Sequence, residues 1–481
     1  MVFAPSNYLM KCPMNNGAIS KSAKKRIVIL GGGFGGVYAA LQLEKLLARA
    51  PEVEICLVSR DNFFLFTPML HEVAASDLEI TNIVNPLRKL LRRVKVLVGE
   101  VKRIDLPNKR VVISHGHHNY DNHSHRLEYD HLVLALGSIT NFFNLPGFAE
   151  LALAMKSLPD AIQFRARIIR SLEEANSECS LGDRQSLLTF VVAGGGFAGV
   201  ETVAALNDFV REALRFYPNL RERMLRVVLV HPGEFILPEL GDSLGRYAQK
   251  VLAQRGVEIR LNTRVTSMTE NEVCLKDSLP IPSSTLIWTA GTVPNPLLAS
   301  LPCQKKGGRV LVNEFLQIPG WPEVWEVGDC AFVPDNNRPG KSHPPTAQHA
   351  IREGRVAAQN IALALAGRRL KPFSFKTIGL LASIGRRTGV ARILVFNFSG
   401  FFAWWLWRTI YLSKLPGLDK KVRVAFDWTL DLLFRKDVCA VHDLPSRADF
   451  QRRAHRQAMV ENNGQYRRTA EIEATLHGVN P

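Results

Sequence analysis

The apolar pattern of this chain says the same thing twice. Residues 27–30 form a short β-branched run, 31–36 read Gly-Gly-Gly-Phe-Gly-Gly, 37–48 carry small and apolar side chains at helical spacing, and 53–58 form a second apolar run. That order, strand, glycine turn, helix, strand, is one βαβ unit. The pattern returns with a strand over 187–193, the turn 194–199, a helix over 200–209 and a strand over 226–230. Two copies of one unit imply two nucleotide-binding folds in a single chain.

The intervening and following segments are less regular. Residues 109–131 alternate around a polar loop and predict a hairpin. Residues 132–137 predict a buried strand and 156–175 a helix. Short strands fill 257–293 and end in Leu286-Ile287-Trp288-Thr289-Ala290-Gly291. After Gly328-Asp329 a helix is predicted from Thr346 to Ala366, stopped by Gly367. The stretch 371–437 changes character and is rich in aromatic and basic residues. The last forty or so residues read as a polar, charged, loosely packed tail.

Composition narrows the class. The 481 residues exceed what one core normally serves, and 46% hydrophobic with 22% charged side chains is a globular balance, which excludes disordered, collagenous and many-span membrane chains. The net charge of +17 calls for an acidic partner surface: nucleic acid, anionic lipid or a polyanionic ligand. Seven scattered cysteines form no CxxC pair and no zinc spacing. They are expected to be reduced, buried, small apolar residues. The leader, residues 1–25, is basic and lacks an apolar core. It is read as a disordered arm, with a transit peptide as the alternative. The longest apolar run, 393–407, holds Asn397, Ser399 and Gly400 and falls short of the roughly 20 residues a membrane span needs.

The glycine loops carry the chemistry. In Gly31-x-Gly33-x-x-Gly36 the first glycine allows the tight turn, the second lets the backbone approach a pyrophosphate, and the third lets helix and strand pack closely. The helix N-terminus then offers free N–H groups to the phosphates. Gly194-x-Gly196-x-x-Gly199 repeats this. Both copies follow a β-branched strand and open a helix, as the fingerprint requires. The acid expected some 20 residues later for the ribose hydroxyls is absent in both. Ser59, followed by Arg60, stands at the end of the first unit and His231 at the end of the second. Serine can still bond a ribose. Without the second carboxylate a 2′-phosphate is not repelled, so both NADH and NADPH stay open.

From about residue 25 to 440 the chain resembles the type II NADH:quinone oxidoreductases, the single-subunit dehydrogenases of respiratory chains that do not pump protons. The resemblance rests on Gly31–Gly36 with Phe34, on Asn62-Phe63-Phe64-Leu65-Phe66-Thr67-Pro68-Met69-Leu70, on Ala135-Leu136-Gly137-Ser138, on Gly194–Gly199 with Phe197 and then Val200-Glu201, on Thr289-Ala290-Gly291, on Gly328-Asp329, on Pro345-Thr346-Ala347-Gln348-His349-Ala350 and on the aromatic, basic C-terminal part. It implies two Rossmann-like α/β domains of glutathione-reductase-like organisation: 26–150 with 305–370 for FAD, 151–304 for NAD(P)H. It also implies a membrane-docking and dimerisation region at 371–440, before the tail 441–481. By the same resemblance the FAD is held by Gly31, Gly33, Phe34, Gly36, Ser59, Arg60, Thr67, Pro68, Ala135, Gly137, Ala347, Gln348 and Asp329, the last on the ribityl chain. NAD(P)H is met by Gly194, Gly196, Phe197, Gly199, Glu201, His231, Ala290 and Gly291. Gln348 and Lys376 are implied at the quinone.

A flavin takes a hydride and returns electrons to a quinone without any protein thiol. Glu201 is then expected to relay a proton or orient a ring, with capping of its own helix as the plain alternative. Gln348 could bond a quinone carbonyl, or be a buried amide. Lys376 could be surface charge only. Phe396, Phe398, Phe401, Phe402, Trp404, Trp405, Trp407 and Tyr411, with Arg386, Arg387, Arg392, Arg408, Lys414, Lys420, Lys421 and Arg423 nearby and the stripe Val422, Phe426, Leu430, Phe434, predict a helix lying in the interface of an anionic membrane. The alternative is a dimer face. The histidines at 115, 117, 118, 123 and 125 are read as a solvated loop, not a metal site. Expected partners are the lipid surface, the quinone pool and a second copy, on the cytoplasmic face of a bacterial membrane or, as the alternative, on an organellar inner membrane. Two other functions fit parts of the pattern: a soluble reductase of a ferredoxin-like carrier, and a basic nucleic-acid-binding flavoprotein. The aromatic anchor argues against the first, and nucleic acid is not expected as a partner.

Overall fold

A computed structural model describes residues 24–115, 123–335, 338, 340–434 and 436–439. Both glycine sentences fold as written. Lys25–Leu30 is the parallel neighbour of Val53–Ser59, and helix α1 (Phe34–Leu46) connects them. Each of these strands is apolar over most of its length because both faces of a parallel sheet are covered by helices. The first sheet has six strands in the order Gln317–Ile318, Trp321–Glu326, His131–Leu134, Lys25–Leu30, Val53–Ser59 and Lys95–Val98. It is therefore closed by chain returning from beyond residue 316. The second sheet has five strands: Leu153–Ala154, Thr285–Trp288, Thr189–Ala193, Arg226–Val230 and Val257–Arg260. An antiparallel pair, Ser138–Thr140 with Thr292–Pro294, ties the two halves together.

Helix α2 (Leu70–Ala74) follows the aromatic segment at 63–66. Helix α3 (Leu158–Ser177) starts two residues later than the predicted 156, because Ser157 and Asp160 close a capping box and Pro159 sits in the first turn. Helix α4 (Phe197–Ala213) opens from the second glycine loop and is buried along most of its length. Helix α5 (Ala347–Leu365) lies against α1 at a crossing of two glycines: a Cβ on Gly354 would stand 2.3 Å from the Gly35 carbonyl oxygen, so any side chain there would force the helices apart. The hairpin at 110–128 has a third strand, Glu100–Asp105, which the alternation pattern did not reveal. His117 and His118 lie outside the described residues.

The C-terminal region is a three-stranded antiparallel sheet (Gly379–Ser383, Gly389–Ile393, Phe396–Ser399) followed by helices α6 (Gly400–Lys414) and α7 (Leu418–Leu433). The apolar run 393–407 is thus split between a hairpin and a helix. No described helix is long and apolar enough to cross a membrane. Two expectations for this region are corrected. Trp404 and Trp407 are buried, as is Trp428 on α7, and only Phe396, Phe401, Phe402 and Trp405 of the aromatic set are exposed. The cations divide likewise. Arg408 stacks between Trp404 and Trp428 at 4.3 and 4.6 Å, Arg386 pairs with Glu212 and Asp431, each at 3.3 Å, and Lys420 donates to the Thr81 carbonyl. Arg387, Lys414 and Arg423 stay exposed. The outer stripe of α7 reads Leu418, Val422 and Phe426, with Phe434 just past its end and Leu430 half-buried. The cysteine expectation holds only in part: Cys56 and Cys330 are buried, Cys274 and Cys303 half-buried, but Cys179 and Cys439 are exposed.

Candidate functional site

The two glycine loops differ from ordinary turns in where they are tight and where they are open. Gly31 has φ +115°, and a Cβ there would lie 2.1 Å from the Ala135 carbonyl oxygen. On Gly36 it would lie 1.9 Å from the Gly31 carbonyl oxygen, yet on Gly33 it meets nothing within 4 Å. The second loop repeats this: Gly194 has φ +114°, Gly199 would clash with the Gly194 carbonyl oxygen at 1.7 Å, and Gly196 faces open space. Glycine is thus demanded by the fold at the outer positions. At Gly33 and Gly196 an open face is left at the N-terminus of α1 and of α4, where N–H groups and the helix dipole favour an anion. The strand-end residues pack on the middle of each loop. Ser59 is buried under Gly32 and His231 lies under Gly195, while Arg60 is exposed beside Asp61.

Around the first loop, Phe34 meets Phe64 and Phe66 edge-on at 4.9 and 5.8 Å, which fixes the segment that leads to Thr67 and Pro68. Gly137 has φ +64° and open space at its Cβ position. Ala135 is buried. Asp329 Oδ2 accepts from Ser138 Oγ at 2.7 Å and from Lys156 Nζ at 3.3 Å, and Lys156 also donates to Ser138 Oγ at 2.9 Å. Lys156 precedes α3 in the other half of the chain, and no motif in the sequence marked it. Behind Asp329, the Gly328 N–H donates to Glu353 Oε2 at 2.7 Å; burial pushes the Glu353 carboxyl up to about 8. The open glycines, the acid of the Gly328-Asp329 turn and the helix N-terminus together fit a dinucleotide with a polyol linker. Around the second loop, Ala290 and Gly291 follow the strand Thr285–Trp288, and Thr289 Oγ1 donates to the Ala193 carbonyl at 2.8 Å.

Glu201 sits in the second turn of α4 and does not cap it. Its Oε1 accepts the Ser383 N–H at 3.2 Å and the Trp407 indole N–H at 2.9 Å, both from the C-terminal region. Its Oε2 is 3.8 Å from His71 Nδ1. Burial pushes the Glu201 carboxyl up to about 8, against the two hydrogen bonds that favour its charge, and drives His71 down to about 3. At neutral pH the site therefore holds a protonated acid beside a neutral imidazole. Next along α2, Glu72 is built alike: Trp428 donates to its Oε2 at 3.1 Å, and burial lifts its carboxyl to about 8. Sequence reasoning found Glu201 but not His71, Glu72 or the inward tryptophans. Their partners are hundreds of residues away, and no local pattern encodes that. Gln348, in the first turn of α5 after Ala347, donates from Nε2 to the Gly379 carbonyl at 3.2 Å, so it too reaches the C-terminal sheet. Its neighbour His349 is buried, bonds Thr346 through Nδ1 at 2.7 Å and leaves Nε2 without a partner among the described residues. Lys376 is exposed on the segment between α5 and that sheet, and the structure does not bring it to Gln348 by any described bond.

The sequence profile of the pyridine nucleotide-disulphide oxidoreductases matches residues 25–354, and that of the NDH2 C-terminal domain matches residues 378–437. Over 426 residues the chain is 34% identical to the type II NADH:quinone oxidoreductase Ndh of Mycobacterium tuberculosis, covering 85% of this chain and 88% of that protein. It is 31% identical to the demethylphylloquinone reductase NdbB of Synechocystis, covering 84% and 96%. Its fold is similar to that of NDH2 from Plasmodium falciparum in complex with NADH, with a TM-score of 0.79 at 20% identity over 86% of this chain and all of that one.

Proposed function

The chain belongs to the type II NADH:quinone oxidoreductases, and from that premise we propose how its residues share the reaction. The enzyme is an FAD-dependent flavoprotein that oxidises NADH and reduces a quinone without pumping protons. When bound, FAD would supply the redox chemistry, hydride acceptance from the nicotinamide and two-electron reduction of the quinone. The residues around Gly33, Gly137, Ser138 and Asp329 would hold it, and the loop around Gly196 would hold NADH. We take residues 26–150 with 305–370 as the FAD domain, 151–304 as the NADH domain and 371–440 as the docking region.

The protein's own work is positional and protonic. Forming a quinol from a quinone consumes two protons, one more than the hydride brings, and that proton comes from water. Glu201 is buried, protonated at neutral pH and fixed by Ser383 and Trp407. It is our candidate donor at the quinone. Gln348, which reaches the C-terminal sheet through Gly379, is our candidate to orient the quinone ring, and Lys376, being exposed, is kept only for the rim of that site. The observation that carries this reading is that one carboxyl joins the helix of the nucleotide loop to the C-terminal region. We further propose that the exposed apolar side chains from Leu394 to Trp405 and along α7 rest on a membrane, with Arg387, Lys414 and Arg423 towards anionic headgroups. The cytoplasmic side of a bacterial membrane and a dimer are parts of the same proposal. The test is anaerobic titration of the purified yellow protein with NADH and then with a short-chain quinone. Bleaching by one equivalent of NADH and full return of colour with one of quinone is expected; bleaching that quinone does not reverse would defeat the assignment of the acceptor.

A further inference from the structure

The strand Arg226–Val230 ends where a dinucleotide fold usually presents a carboxylate to the adenosine ribose. His231 stands there instead, and its own loop occupies it. Nδ1 accepts the Gly195 N–H at 3.1 Å, and the ring is also hydrogen-bonded to the backbone at Phe235. A nitrogen that accepts carries no proton, so the imidazole is neutral in this arrangement, and its burial favours that form. A neutral ring so engaged does not replace the carboxylate as an acceptor for a 2′-hydroxyl. Nor does it repel a phosphate.

The neighbouring chain is basic. Arg260 to Arg264 runs alongside the loop: the backbone N–H of His231 donates to the Arg260 carbonyl at 2.8 Å and that of Asn262 to the Gly233 carbonyl at 3.2 Å. Between this segment, Pro232 and the turn at Lys276–Ser278 lies a polar cleft of about 350 Å³. Its walls include Arg260, Arg264 and Lys276, and one acid, Asp277. Asp277 is exposed and only loosely paired with Lys276 at 3.8 Å. Glu258 next door is held by Arg226 at 2.8 Å and by Arg260, which keep its carboxyl below the usual range. Glu234 and Glu239, the loop's own acids, are exposed to solvent.

We infer that this cleft is a subsite for the 2′-phosphate of a 2′-phosphorylated adenosine, so that the enzyme accepts NADPH as well as NADH. The inference rests on the loop Gly194–Gly199 being the nucleotide loop. A 2′-phosphate carries up to two negative charges, and the guanidinium of Arg264 and the ammonium of Lys276 offer it donors where a carboxylate would oppose it.

The holoenzyme tests this by binding and by turnover. By calorimetry 2′,5′-ADP should bind at least about tenfold tighter than 5′-AMP, and this preference should shrink as salt is raised to about 0.5 M. The double substitution Arg264→Ala with Lys276→Ala should abolish it. With a short-chain quinone, kcat/KM for NADPH should lie within about tenfold of that for NADH, and His231→Glu should move the ratio by about 100-fold towards NADH. If 2′,5′-ADP binds no better than 5′-AMP, or the ratio ignores His231→Glu, the subsite is wrong even when NADH turnover is normal. Phosphate discrimination without quinone reduction by either nucleotide would instead overturn the functional reading and leave the subsite standing.

Discussion

The indole N–H of Trp407 donates to Glu201 Oε1 at 2.9 Å across 206 positions of sequence. The carboxyl beside the nucleotide loop is thus tuned by the region that follows the flavoprotein core. Trp407→Phe keeps an aromatic ring and removes the donor. That hydrogen bond favours the charged carboxylate, so its loss should raise the Glu201 pKa beyond about 8. The alkaline limb of quinone reduction should move up by roughly half a unit to one unit, at a stability cost of about 1 kcal/mol. A pH–rate profile that does not move would separate Glu201 from the rate-limiting protonation.

Glu201→Gln keeps the shape and the two acceptor contacts at Oε1 but cannot give up a proton. The protein should remain yellow and should still be bleached by NADH in stopped flow. Reoxidation by quinone should slow by about 10²-fold, the usual worth of one positioned acid. Equal slowing of both half-reactions would point to a positioning role alone.

Gln348→Ala removes a donor to the Gly379 carbonyl and, on our reading, to the quinone. It should raise the quinone KM several-fold, about 1 kcal/mol for one neutral hydrogen bond, with little change in the rate of flavin reduction. A change confined to the NADH step would contradict it.

Gly33→Val and Gly196→Val probe the loops without touching the fold, since a Cβ meets nothing within 4 Å at either position. Gly33→Val should yield folded, colourless protein. Gly196→Val should yield yellow protein with NADH affinity lowered by an order of magnitude or more, as expected when a side chain fills a pyrophosphate cradle. Retained FAD in the first, or normal NADH binding in the second, would misplace the two nucleotides.

Stability should depend on pH in an unusual direction. Glu72, Glu201 and Glu353 are all lifted to about 8 by burial. The folded state therefore binds their protons more tightly than the unfolded chain does, so this contribution is complete near pH 4.5 and is lost as pH rises towards 8. The melting temperature should fall between about pH 5 and pH 8.5, and Glu201→Gln should flatten part of the slope. A melting temperature that climbs over this range would show that these acids ionise without penalty.

What the sequence made legible was local. A β-branched run followed by spaced glycines specifies strand, turn and helix locally, and both units were readable down to which glycines are tight, although the carbonyl that crowds Gly31 belongs to the distant Ala135. Glu201 stood out because it follows the second glycine turn, and Gln348 only through the resemblance of Pro345–Ala350 to a family segment. The C-terminal tryptophans were not. An indole suits lipid or a buried carboxylate equally well, and Trp428 finds Glu72 356 positions away. Arg408 looked like a surface cation for the same reason, and Arg386, though exposed, is held by Glu212 and Asp431. Lys156 was missed because its partners Ser138 and Asp329 lie 18 and 173 positions away and no local pattern joins the three.

The crossing of Gly35 and Gly354 has a consequence for biosynthesis. As the polypeptide leaves the ribosome, the first nucleotide fold emerges without its partner helix and without the strand Trp321–Glu326. The inserted nucleotide domain can finish first, while α1 waits with its packing face uncovered until residue 354 appears. The oldest part of the nascent chain is thereby among the last to close, and it is there that a chaperone would find its handhold.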